Sequence, residues 1–262
     1  MDTVTSRDGT TIAFDLAGDG PAVILAGGAF QHRAFDPTTV DLAARLADRL
    51  TVLNYDRRGR GDSGDGETYA VEREIEDLDA LITHAGGSAA LYGSSSGGNL
   101  ALEAAAQGLA VTKLAVWEPN LLVDDSRAPL PDDYVAQLEE RVSAGRRGEA
   151  VEYFMTTAIG LPAEYLRPMR DSPMWTGMEQ VAHTLAYDGR IVDGFRLHAD
   201  RVAAVDAAAL IMDGGQTTWM SKGAEALAEA LPHGVHRRLE GQEHGPSPDV
   251  IAPVLIEFFA AA

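Results

Sequence analysis

The chain has 262 residues, 45% of them hydrophobic, and carries 40 Asp and Glu against 21 Lys and Arg, for a formal net charge of -19. That length suits one α/β domain with a small insertion rather than two independent domains, and the charge opposes phosphate backbones and anionic lipid, so neither nucleic acid nor membrane is an expected partner. The absence of cysteine excludes disulfides, thiolate metal sites and a cysteine nucleophile, and leaves oxygen nucleophiles.

Met1 to Asp8 contain no apolar signal core, and no stretch of about 18 uncharged apolar residues occurs, so a cytoplasmic location is expected. Short aliphatic or β-branched runs bounded by Gly and Asp open the chain at Thr3 to Ser6, Thr11 to Leu16, Ala22 to Ala26 and Leu50 to Tyr55, the first two forming a hairpin. Val71, Ile75, Leu78 and Ile82 then recur at helical spacing, and a strand follows from Ala89 to Tyr92. The alternation continues with a helix near Gly97 to Gln107 and strands near Lys113 to Trp117 and Ala208 to Met212. It closes with a helix near Lys222 to Ala230, a strand near Val235 to Leu239 and a helix through Val250 to Phe259. Such alternation predicts a mostly parallel eight-stranded sheet flanked by helices. Between Pro119 and Ala204 the rhythm turns wholly helical, with repeated proline breaks, which predicts a helical cap (119–204) inserted into a core made of 1–118 and 205–262.

The chemistry concentrates at Gly93-Ser94-Ser95-Ser96-Gly97, where only Ser95 is framed by glycines two residues away on both sides. A serine on a tight strand-to-helix turn needs neighbours without side chains, and the helix after it offers free N–H groups to a developing oxyanion. Serine is a weak nucleophile at neutral pH and requires a base. His244, in the polar loop Glu240 to Gly245 between the last strand and last helix, is the candidate. His32, after the Ala22 to Ala26 strand, is the one competitor near the site and is expected as a pocket wall.

With Leu25-Ala26-Gly27-Gly28, Tyr55-Asp56-Arg57-Arg58-Gly59-Arg60-Gly61-Asp62-Ser63, the Ser95 elbow and the late His244 in this order, the chain resembles an α/β-hydrolase over nearly its whole length. The resemblance implies the α/β-hydrolase fold and an oxyanion hole from the N–H groups of Gly28 and Ser96, with Ala26 standing where the family usually has His. The Asp56 to Ser63 segment is structural in that family. The third triad member departs from the common pattern, because the loop after the Ala208 strand has no carboxylate near Thr217. Glu118, at the end of the sixth strand, is the expected acid, with Asp213 as the alternative.

The expected reaction is acyl transfer to water from an ester, lactone or thioester of a partly hydrophobic small molecule, with no metal or organic cofactor. The alternatives are C–C bond cleavage, cofactor-free peroxidation or a cyclisation or lactone step by the same triad, and a ligand-binding module without catalysis. Trp219 is expected to face the pocket, with Met155, Met174, Trp175, Met178 and Met220 as further apolar candidates. The sequence carries no signal for oligomeric state.

Overall fold

A computed structural model describes residues 1–261. The strands are β1 (Asp2–Thr5), β2 (Thr11–Ala17), β3 (Ala22–Ala26), β4 (Thr51–Tyr55), β5 (Ala89–Ser94), β6 (Val111–Trp117), β7 (Ala208–Asp213) and β8 (Gly234–Arg238). They form one sheet in the order β1-β2-β4-β3-β5-β6-β7-β8. β1/β2 and β2/β4 pair antiparallel, and every other pair is parallel. This is the expected eight-stranded architecture.

The helices packed on the sheet are α1 (Pro37–Leu46), α2 (Val71–His84), α3 (Ser96–Ala106), α10 (Thr218–Ala230) and α11 (Pro248–Ala260). Side chains alternate across a strand, so each central strand feeds two cores. Along β3, Ile24 and Ala26 join the core with α2, α3 and α10, whereas Val23 and Leu25 join the core with α1 and α11. Helix α1 was not anticipated. Its start is nevertheless encoded locally, for the Asp36 carboxylate accepts from the N–H groups of Thr38 and Thr39, and Pro37 takes the first helical turn.

Between β6 and β7 lie α4 (Tyr134–Ser143), α5 (Arg147–Tyr153), α6 (Leu166–Arg170), α7 (Pro173–Gln180), α8 (Leu185–Val192) and α9 (Ala199–Val202), with a π-helical turn over Phe154–Ile159. This insertion has a core of its own, which includes Leu138, Val151, Leu166, Trp175, Met178 and Leu185 and reaches the main body through Phe30. No helix among the described residues is long and apolar enough to cross a membrane.

Candidate active site

Ser95 stands between β5 and α3 with φ 56° and ψ -127°, a conformation that L-residues rarely adopt. The flanking glycines permit it. A Cβ on Gly93 would lie 2.4 Å from the Gly97 carbonyl oxygen, and one on Gly97 would lie 2.1 Å from that of Ala26. The turn is tied down from its neighbour strand, because the Ser95 N–H donates to the Trp117 carbonyl at 2.9 Å.

Glu118 follows β6, also at positive φ (43°), and is completely buried. Its Oε2 lies 2.7 Å from His244 Nδ1, and its Oε1 accepts from the Gly214 N–H at 3.2 Å. A carboxylate accepts only, so this contact puts the ring proton on Nδ1 and leaves Nε2 as the acceptor. The Trp117 indole N–H donates to the His244 carbonyl at 2.9 Å, so the same strand end holds the histidine's backbone and its ring. Asp213 points elsewhere: its carboxylate accepts from Ser221 Oγ at 2.6 Å, Arg238 Nε at 3.0 Å and the Gly215 N–H at 2.8 Å, and meets His236 Nε2 at 2.6 Å. It is a structural hub for β8.

Asn120 was not anticipated. Its Nδ2 donates to Ser95 Oγ at 3.0 Å, and its backbone N–H is fixed by Asn99 Oδ1 on α3 at 3.0 Å. Because Asn120 fills an acceptor site of Oγ, the serine proton remains free to point to a base. Its position two residues after Glu118 was the available signal.

The turn after β3 approaches Ser95 closely, since a Cβ on Gly28 would lie 3.0 Å from Ser95 Cβ. The Gly28 N–H, expected at the oxyanion, donates instead to Gln31 Oε1 at 2.5 Å, and Gln31 is held in turn by Asp36. Ser96 opens α3 and its hydroxyl donates to Asp188 Oδ1 at 2.7 Å. Asp188, buried on α8, also receives Arg57 Nη1 and Arg60 Nη2, each at 2.7 Å. Arg60 Nη1 donates to the Gly28 carbonyl at 2.5 Å, and Arg57 forks onto Glu74 at 2.6 and 2.7 Å. One carboxylate of the insertion therefore joins the elbow, the turn after β3 and the Asp56 to Ser63 segment. Burial raises the Asp188 pKa, but Arg60 and Arg57 outweigh it and hold the group below its ordinary value.

A cleft opens at Ser95. Ala29, Tyr134, Phe154, Ala158, Val192 and Phe195 give it apolar walls, while Asn120 and Asp188 are polar lining residues. None of the apolar residues expected there lines it. Trp219 stacks on Phe195 with ring centroids 5.3 Å apart, under the Arg127 guanidinium. Trp175 and Met178 are buried in the insertion's core, Met220 is buried, Met174 is exposed and Met155 packs at the edge of the insertion's core. His32 lines a separate small cavity with Gln31 and Tyr55, stacks on Phe35, and has its pKa lowered by burial. The reason is topological, because the cleft is lined by six stretches of chain brought together only by packing of the insertion on the main body.

Residues 22–254 match the model of the alpha/beta hydrolase family. An alpha/beta hydrolase from Sphaerobacter thermophilus is 51% identical, with a TM-score of 0.92 over 98% of this chain and 100% of that one. A 2-(acetamidomethylene)succinate hydrolase from Mesorhizobium japonicum is 30% identical over 180 residues, 64% of this chain and 61% of that relative, so the match spans less than two thirds of the relative's length. The enol-lactonase of Burkholderia xenovorans shares the fold at 17% identity, with a TM-score of 0.72 over 99% of this chain and 100% of that one. With the strained serine elbow, the order of its strands and the match over 22–254, the chain belongs to the alpha/beta hydrolase family.

Proposed function

We propose that the protein hydrolyses acyl derivatives of a small molecule through a triad of Ser95, His244 and Glu118. The observation that carries this reading is the 2.7 Å contact of Glu118 with His244 Nδ1, made at the same edge of the sheet as the Ser95 elbow. In the first half-reaction Ser95 Oγ attacks the carbonyl carbon while its proton passes to His244 Nε2. Glu118 fixes the tautomer and offsets the imidazolium charge. The tetrahedral oxyanion is held by the Ser96 N–H and by a second donor in the turn after β3. Since Gln31 occupies the Gly28 N–H and Ala29 lines the cleft beside Ser95, we place that second donor at Ala29. Collapse releases the leaving group with the proton from His244. Water, deprotonated by His244, then frees the acid and restores Ser95. The helical insertion acts as the cap over this site and supplies most of the cleft wall.

The scissile bond is an ester or lactone C–O bond, or an acyl C–N bond. The second case is favoured by the relative from Mesorhizobium japonicum, whose substrate name contains an acetamido group. A fluorophosphonate probe tests the serine. Intact mass and peptide mapping are expected to place a single adduct on Ser95, and folded protein that takes no label would overturn the reading in favour of ligand binding. Ester and N-acyl substrates compared side by side then fix the bond.

A further inference from the structure

Arg127 lies in the segment between β6 and α4, half-buried, and meets no carboxylate within ion-pair distance among the described residues. The other arginines drawn into the interior, Arg33, Arg57, Arg58 and Arg60, each meet at least one carboxylate. Arg141 and Arg147 also lack one, but their partners are Gln137, Tyr153 and the carbonyls of Glu179 and Gln180, outside the cleft. Arg127 does not line the cleft either, but two of its neighbours do. Its Nη1 donates to the Ala158 carbonyl at 2.8 Å and its Nη2 to that of Thr157 at 3.0 Å. Its guanidinium carbon lies 5.0 Å from the centre of the Phe195 ring and 4.7 Å from that of Trp219. Ala158 and Phe195 are walls of the cleft that holds Ser95.

We propose that Arg127 anchors a carboxylate of the substrate, so that the natural acyl compound is the anion of an acid. The inference rests on the hydrolase reading for its site and names the substrate class. Three N–H groups of Arg127 are spent on the Ala128, Thr157 and Ala158 carbonyls, and one on each terminal nitrogen remains. Two N–H groups from one planar fork suit a carboxylate. The backbone carbonyls fix the fork without neutralising it, and the two rings hold its plane and exclude water from one side. Burial lowers the Arg127 pKa, with only Tyr134 acting against it and no carboxylate beside it. A carboxylate arriving from the cleft supplies that missing charge.

The test compares p-nitrophenyl hydrogen succinate with p-nitrophenyl butyrate, similar in length but anionic and neutral respectively. Arg127→Gln is expected to lower kcat/KM for the anionic ester by about 10- to 100-fold, chiefly through KM, and to leave the neutral ester within about threefold. Arg127→Lys is expected to restore part of the loss. Parallel losses on both esters, or none on either, would assign Arg127 a purely structural role and overturn the proposal. A second readout does not need turnover. In Ser95→Ala protein, glutarate is expected to change the fluorescence of Trp219, which touches the guanidinium, and the response should vanish on adding Arg127→Gln or Trp219→Phe. Absence of a saturable response in Ser95→Ala protein overturns the anchor. If neither ester is turned over while glutarate binds in the Arg127-dependent way, the ester chemistry fails and the anchor stands.

Discussion

Among the described residues, five other than glycine have positive φ: Phe30, Ser95, Glu118, Asp193 and Phe195. Ser95 and Phe195 line the cleft, Glu118 meets His244, and Phe30 packs on the cleft wall Phe154 at 5.2 Å between ring centres. Backbone strain of this kind persists only where surrounding structure holds it in place. Its concentration here supports the placement of the site at Ser95. The proposed triad predicts that Ser95→Ala lowers turnover by at least about a hundredfold without loss of fold, because one hydroxyl oxygen is lost and packing barely changes. The acid is tested by isosteric changes. Glu118→Gln should cost a factor of about 10³ to 10⁴ in kcat, whereas Asp213→Asn should cost less than about tenfold. Asp213→Asn should instead show in stability. Burial raises the Asp213 pKa, but hydrogen bonds from Ser221, His236 and Arg238 outweigh it, leaving the group below its ordinary value. A depressed carboxylate stabilises the fold above its unfolded pKa, and that contribution fades as the pH falls through the folded pKa. The variant should therefore melt lower than wild type at neutral pH, by about 1–3 kcal/mol in unfolding free energy, with the gap closing below about pH 4. A constant gap down to strongly acid pH would show that the charge of Asp213 contributes nothing.

At the scale of elements, α8 is the helix of the insertion bonded to the turn that carries Ser95. Through Asp188 it joins Ser96 on α3, Arg57 and Arg60 after β4 and, by way of Arg60, the carbonyl of Gly28 after β3. Removing one member of a buried ion network leaves the others uncompensated, which commonly costs about 3–5 kcal/mol. Asp188→Asn should lower the melting temperature and also lower kcat by about 10- to 100-fold, because both turns proposed to hold the oxyanion lose their common anchor. A loss of stability with kcat unchanged would confine Asp188 to a structural part. The elements themselves were mostly legible. The central strands are apolar on both faces, so their runs stand out, and the elbow is legible because close backbone approach at Gly93 and Gly97 leaves no alternative to glycine. Helix α1 escaped because Leu42, Ala43 and Leu46 give it only a thin buried stripe, although Asp36-Pro37 announced its start. The cleft walls escaped for a deeper reason. Tyr134, Phe154 and Phe195 acquire a common surface only through contacts between distant segments, and Trp219 was withdrawn from it by Arg127 and Phe195.

The whole molecule has two hydrophobic cores on the faces of one sheet and a third inside the insertion, which Phe30 of the main body enters and against which Ala29, Phe35 and Trp219 pack. The sheet cores are closed by long helices and an eight-strand ladder, so their opening is expected to cost close to the full unfolding free energy. The insertion is built differently. Its elements are short, and it has no regular structure between Trp117 and Tyr134, where Val123 is exposed, or across Gly160 to Pro162, with Ile159 and Tyr165 exposed on either side. Cleavage requires a stretch of backbone to leave its contacts, so the first cuts in limited proteolysis are expected in these two stretches. Arg127 sits in the first of them and is bonded to Thr157 and Ala158 just before the second, so the two stretches are joined to each other. Bound glutarate, engaging Arg127, should slow cleavage in both together, and Arg127→Gln should speed cleavage in both and abolish the protection. Sites can be assigned by mass spectrometry of the first fragments. Initial cuts within β3, β5 or α3 would contradict the assignment of the insertion as the least stable part of the fold, and protection of one stretch without the other would show that Arg127 does not couple them.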